Sequence, residues 1–185
     1  MPTRLQIDLG RHALARGGVI AYPTEAVWGL GCEPLNRHAV ARLLALKRRS
    51  QLKGLILVAS SFSQVEPYAA KVDRAALEHA FDTWPGPTTW LFPAARGVPG
   101  WLRGEHDTIA LRVTAHPVAR ALCDARGGAI VSTSANLAGR PPACSALQVR
   151  CRFGGALDFI VPGDTGGFGR PTPIRDLLTG RRLRA

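Results

Sequence analysis

No apolar run in this 185-residue chain approaches the ~20 residues that a membrane-spanning helix needs. The opening Met1-Pro2-Thr3-Arg4-Leu5-Gln6-Ile7-Asp8 lacks the apolar core of a secretory signal. Both absences predict a cytoplasmic protein with no membrane partner. Cys32, Cys123, Cys144 and Cys151 form no Cys-x-x-Cys pair, so neither a zinc knuckle nor a small disulfide scaffold is indicated, and four reduced thiols are expected. The five histidines show no His-x-x-x-His or His-Glu spacing and read as surface residues rather than metal ligands. Also absent are the Gly-x-x-x-x-Gly-Lys-Ser/Thr phosphate loop, the Gly-x-Gly-x-x-Gly fingerprint and the Gly-x-Ser-x-Gly elbow. Any nucleotide site must therefore be assembled from scattered residues.

Acidic residues are scarce too. Thirteen Asp and Glu face 24 Lys and Arg, a net charge of +11 and a pI near 10.9. Such a balance implies polyanionic company, either nucleic acid or phosphate-rich ligands, and charge alone does not choose between them.

What is present reads as one α/β domain over residues 1–185. Val19–Tyr22 is a short strand stopped by Pro23. Asn36 caps a helix over Arg37–Lys47, with Val40, Leu43 and Leu44 on one face. Leu55–Ala59 lacks alternation, as a strand covered on both faces does. Helices are expected over 62–70 and 73–83, strands over 88–92 and 109–113, and a helix opening at Pro117 and running to 125. A strand over 129–132, a helix over 146–153, a strand over 158–161 and an edge strand over 174–178 complete the expectation.

Polar clusters sit where these strands stop, the usual place for ligand groups in open α/β sheets. Tyr22-Pro23-Thr24-Glu25-Ala26-Val27-Trp28-Gly29-Leu30-Gly31-Cys32 combines a proline stop with two glycines that allow close backbone approach, although a plain turn would look the same. Lys47-Arg48-Arg49-Ser50 with Lys53 follows the Asn36 helix. Favourable cation–dipole contacts of about 0.3–1 kcal/mol could explain one or two of these charges. Four together repel one another unless an anion such as phosphate, worth about 1.5–3 kcal/mol per charged hydrogen bond, offsets them. A solvated basic face is the alternative. Ser132-Thr133-Ser134-Ala135-Asn136 can line a pocket with hydroxyl and amide oxygens, or simply cap a turn. Arg112, inside an apolar strand, needs a partner: an Asp107-type pairing or a substrate carboxylate.

Taken in order, YPTEAVWGLGC (22–32), LKRR (46–49), KGLILVA (53–59), WPGPTT (84–89), ALRVT (110–114), VSTSANLAGRPP (131–142), VPGDTGG (161–167) and IRD (174–176) resemble the YrdC domain family, nearest its short bacterial members. The resemblance implies a twisted, open, mixed sheet flanked by helices, with a basic concave groove. It also implies an L-threonylcarbamoyladenylate synthase, a nucleotidyltransferase. Such an enzyme joins L-threonine, bicarbonate and ATP, with Mg2+, into threonylcarbamoyl-AMP and pyrophosphate. Its product serves threonylcarbamoyladenosine modification of tRNA beside the anticodon, so tRNA and the other threonylcarbamoyl-transfer proteins become expected partners.

By that resemblance Lys47, Arg49, Ser134 and Asn136 hold the triphosphate and its metal and carry the catalysis. Thr108 and Arg184 touch the nucleotide. Thr24, Arg112, Ser132 and Thr172 hold threonine, with Arg112 on its carboxylate. Ser50 stands where the family usually has Pro, and Pro142 where longer members have a Ser that can contact nucleotide. The competing expectation is a non-enzymatic double-stranded RNA- or tRNA-binding module using Arg48, Lys53, Arg181 and Arg182. Carbamoyl transfer in hydrogenase maturation is a third use of the domain, but it is expected within longer chains carrying zinc-finger and acylphosphatase parts.

Overall fold

The computed structural model describes residues 1–168 and 172–184, with Arg184 described by its backbone alone. In chain order the elements are α1 (Arg4–Ala15), β1 (Ile20–Pro23), β2 (Trp28–Gly31), α2 (Arg37–Lys47), β3 (Ile56–Ala59), α3 (Arg74–Phe81), β4 (Thr89–Pro93), α4 (Gly100–Arg103), β5 (Thr108–Val113), α5 (Pro117–Arg126), β6 (Ile130–Ser134), α6 (Ala146–Phe153), β7 (Phe159–Ile160), β8 (Ile174–Asp176) and β9 (Arg182–Arg184). The strands form one mixed sheet in the order β7-β1-β2-β6-β3-β5-β4-β8-β9. The expected fold class holds.

Local chemistry accounts for most boundaries. Asn36 caps α2 by accepting from the Ala39 amide, and α2 stops where Arg48 turns left-handed. Ser145 caps α6 in the same way. Four sequence expectations need correction. Helix α1 went unread although Thr3 and Gln6 form a reciprocal capping box at its start. The expected helix over 62–70 is instead two 3₁₀ turns, Phe62–Gln64 and Glu66–Tyr68, because Pro67 cannot continue a helix interior. Trp28–Gly31, read as a loop, is a strand paired with β1. The 174–178 strand is shorter than expected and is not the edge, since β9 pairs outside it.

Side-chain alternation divides the sheet into two faces. Ala21, Leu57, Ala59, Leu111, Val113 and Val131 pack into the larger core. Ile20, Tyr22, Val58 and Ile130 point the other way, against Ile7 and Leu14 of α1 and Val118, Ala119 and Leu122 of α5. Those two helices cover only part of that face. Thr108, Ala110 and Arg112 on β5, Ile56 on β3, and Ser132 and Ser134 on β6 share the uncovered part and form the floor of a cavity. The pairings Ile56 with Ser132, Ile56 with Ala110 and Leu91 with Ala110 run as one row across it.

Glycines keep β2 close to its neighbours. A Cβ on Gly31 would lie 2.7 Å from the Val131 carbonyl oxygen and 2.8 Å from Tyr22 Cε1, and neither can swing away. Gly31→Ala is therefore expected to destabilise the fold by about 1–3 kcal/mol, the typical penalty of overpacking a tight core. A lower urea midpoint with an unchanged slope would show this, and an unchanged midpoint would refute the clash.

Candidate functional site

The cavity has a volume of about 440 Å³, within the range of small-molecule sites. Among the described residues, Arg49, Lys53, Arg103 and Arg112 line it, with His106, and no Asp or Glu does. Thr24, Thr108, Ser132, Thr133, Ser134 and Thr172 add hydroxyl-bearing residues to the lining. A wall of cations and hydroxyls without carboxylates is built for an anion. Leu91, Leu102, Ile174 and Leu183 add apolar surface to the lining.

Arg112 marks one end. Only 4% exposed, it donates from Nη1 to the Thr172 hydroxyl at 3.1 Å, and its Nη2 lies 3.5 Å from Glu25 Oε2. Glu25, not Asp107, is thus its protein partner. The turn after β1 brings Glu25 there, with Thr24 fixed by donation from its hydroxyl to the Val27 carbonyl at 2.6 Å. Burial alone would raise the Glu25 carboxyl, but the Arg112 charge and the Thr114 hydroxyl together hold it below the usual carboxylate range. Tyr22 is buried beneath this end, and burial pushes its phenol well up, so it stays neutral.

The other end is built where α2 stops. Arg49 reaches the cavity and donates from Nη2 to the Gly54 carbonyl at 3.0 Å. Lys47 is placed differently from its expected role. It is 3% exposed and does not line the cavity. Its ammonium donates to the Ser134 carbonyl, to the Asn136 carbonyl at 2.8 Å and to Asn136 Oδ1 at 3.1 Å. Asn136 also stays behind the wall, accepting from the Ser134 hydroxyl at 2.6 Å and donating from Nδ2 to the Leu137 and Arg140 carbonyls. Of these four residues, Arg49 and Ser134 face the cavity while Lys47 and Asn136 brace the turn that carries Ser134. Burial, with the nearby Arg49 charge, lowers Lys47 to about 8.

The cavity also gathers Thr24, Thr108, Arg112, Ser132 and Thr172 from the sequence expectations. The side chain of Arg184 lies outside the described residues. Lys53, Arg103 and His106 line the cavity without having been assigned to it. Lys53 had a signal in the basic cluster, whereas Arg103 and His106 had none. Glu25 was missed despite an available signal, a lone carboxylate in a stretch otherwise suited to burial. His116, read as a surface residue, is buried at the start of α5, with Nε2 3.0 Å from the Asp164 carbonyl oxygen. The four cysteines are free, two buried and two exposed.

A metal must fit this donor set. Among the described residues no group of three or more His, Cys, Asp or Glu comes together to hold an ion. A magnesium ion that arrives on a nucleotide fits, because phosphate oxygens and water can supply most of its ligands and the Ser134 hydroxyl another.

The family model Sua5/YciO/YrdC, described as "Telomere recombination", matches residues 12–185. A threonylcarbamoyl-AMP synthase of Halorhodospira halophila is 56% identical over 177 residues, covering 94% of this chain and 93% of the relative. One of Coxiella burnetii is 54% identical over 171 residues, covering 92% of each. Among solved structures, P. abyssi Sua5 in complex with L-threonine superposes with a TM-score of 0.88 at 33% identity, over 95% of this chain and 52% of that one. E. coli YciO superposes with a TM-score of 0.85 at 26% identity, over 100% of this chain and 93% of that one.

Proposed function

The chain belongs to the Sua5/YciO/YrdC family, and from that premise we propose that its cavity makes threonylcarbamoyl-AMP and pyrophosphate from L-threonine, bicarbonate and ATP. The observation that carries this reading is the lining itself: among the described residues it has four cations, six hydroxyl-bearing residues and no carboxylate, and one of the cations, Arg112, is buried. Arg112 pairs with the threonine carboxylate, helped by Thr24, Ser132 and Thr172. Arg49 and Ser134 take the phosphates, and Thr108 and Arg184 the nucleoside side. Magnesium bound with ATP neutralises phosphate charge.

The chemistry asks little covalent work of the protein. Threonine's amine and bicarbonate give a carbamate and water. A carbamate oxygen then attacks the α-phosphorus, the bond to the bridging oxygen breaks, and pyrophosphate leaves with that electron pair. Such a displacement needs reactants in line and charge offset in the transition state, which fixed guanidinium and hydroxyl groups supply.

Threonine separates this reading from an RNA-binding module, which has no reason to recognise it. The net charge of +11 and the exposed Arg48, Lys53 and Arg181 suit tRNA as a further partner, with the threonylcarbamoyl-transfer proteins taking the product in the cytoplasm. No helix among the described residues is long and apolar enough to cross a membrane. The deciding experiment is pyrophosphate release from ATP with magnesium, omitting threonine or bicarbonate in turn. Release that needs both supports the synthase. Release indifferent to threonine from folded protein sinks it.

A further inference from the structure

Glu25 and Arg112 are buried as a pair, each 4% exposed, at the edge of the substrate cavity. Buried ion pairs are weak sources of stability, so their presence calls for another reason. The separation is unusual as well. A carboxylate that hydrogen-bonds a guanidinium sits about 2.7–2.9 Å away. Here Oε2 and Nη2 are 3.5 Å apart, and Oε2 has no hydrogen-bond partner. Arg112 Nε is buried and likewise without a partner.

The cause is on the far side of the carboxylate. Glu25 Oε1 accepts from the Thr114 hydroxyl at 2.6 Å and from the Ala115 amide at 3.2 Å. Thr114 is itself oriented, because its oxygen accepts from the His116 amide at 3.1 Å, which directs its proton toward Glu25. The backbone is fixed too. The Thr24 and Glu25 carbonyls accept from the Gly166 and Phe168 amides, both at 3.0 Å, and a Cβ on Gly166 would lie 2.9 Å from the Glu25 oxygen. The carboxylate is tethered from behind and held short of the guanidinium.

We propose that Glu25 is a positioning residue for amino-acid recognition: held back by Thr114, it orients Arg112 by charge while leaving guanidinium donors for the substrate carboxylate. A directly paired Glu25 would consume two of the five N–H groups of Arg112, and Thr172 already takes another. With Glu25 offset, the fork is aimed and its charge partly balanced, yet donors stay open until a carboxylate arrives. This inference rests on the assignment of Arg112 to threonine, so threonine-dependent pyrophosphate release by the unaltered protein is measured first. If that is missing, the functional reading fails before any variant is made.

Glu25→Gln is expected to raise the KM for threonine by roughly ten- to a hundredfold, the usual cost of losing an outer partner of a ligand-contacting group. The KM for ATP should stay within about twofold, because Arg49 and Ser134 are untouched. Thr114→Val keeps the side-chain shape and frees Oε1 to close on Arg112. It is expected to raise the threonine KM about tenfold without lowering the melting temperature by more than a few degrees, and it decides the matter if Glu25→Gln does not fold. Unchanged threonine KM in folded variants overturns the proposal. So does tighter threonine binding, which would make Glu25 a competitor for Arg112. A parallel loss toward threonine and ATP would leave Glu25 a structural residue only.

Discussion

Lys47→Met is expected to slow threonine-dependent pyrophosphate release by roughly 10²–10³-fold, the effect of losing one preorganised contact at a reacting centre, with threonine affinity and the fold retained. The buried ammonium spends all three of its protons on the turn after β6, at the carbonyls of Ser134 and Asn136 and at Asn136 Oδ1. Its own carbonyl accepts from the Ala138 amide at 2.9 Å, so α2 holds this turn through backbone and side chain alike. Methionine fills the same space but leaves the Asn136 carbonyl without a donor, at about 1–3 kcal/mol if it stays buried, while the Ser134 carbonyl keeps only the Asn136 amide and Asn136 Oδ1 only the Ser134 hydroxyl. The turn relaxes toward water, and the Ser134 hydroxyl moves with it. A shift of about 1 Å in a positioning group is enough for a hundredfold loss. Asn136→Ala should cost a similar factor, and the double variant little more than either single one, because both residues hold one object. Additive losses would mean that each acts on the phosphates separately.

The same clamp should set an alkaline limit. Burial and Arg49 hold Lys47 near 8, below its ordinary 10.5. At saturating threonine, kcat/KM for ATP is expected to fall as pH rises through about 8 and the third donor is lost. Bound triphosphate favours the ammonium, so the corresponding limb in kcat should lie higher. Stability should move the opposite way. Between about 8 and 10.5 the unfolded chain still holds a proton that the folded chain has released, so the contribution of this group to stability grows with pH across that window and is lost as pH falls through 8. In Lys47→Met both trends should vanish.

Helices with strong local signals were legible in the sequence, α2 from Asn36 and its apolar stripe, α6 from its bounds. Helix α1 was not, because its apolar residues make no single stripe: Leu5 and Leu9 are exposed, and only Ile7, Gly10, Ala13 and Leu14 are buried. Strand β2 was hidden by its glycines, which suggest a turn but serve a strand packed against Tyr22. The residue types of the site were readable, and most of them meet in one cavity. Their division of labour was not. Which residue faces a ligand and which braces from behind depends on side-chain direction at the end of α2. The partner of Arg112 depends on how the sheet curls the turn after β1 over the end of β5, and nothing in the spacing of Glu25 and Arg112 encodes that.

That pairing makes the second large effect separable into fold and function. Arg112→Gln is expected to abolish measurable threonine-dependent turnover and to destabilise the protein by about 3–5 kcal/mol, because Glu25 is left charged and buried with no counter-ion. Loss of activity in that variant alone would therefore be ambiguous. Adding Glu25→Gln removes the stranded charge, and amide–amide hydrogen bonding can replace the ion pair, since replacing a whole buried pair is often nearly neutral. The double variant should recover most of the lost stability in urea denaturation and none of the threonine dependence. Recovery of both would assign Arg112 to the fold alone and move amino-acid recognition elsewhere in the cavity. Recovery of stability without threonine dependence, set against Glu25→Gln alone, which should keep turnover at high threonine, assigns the remaining loss to the guanidinium itself.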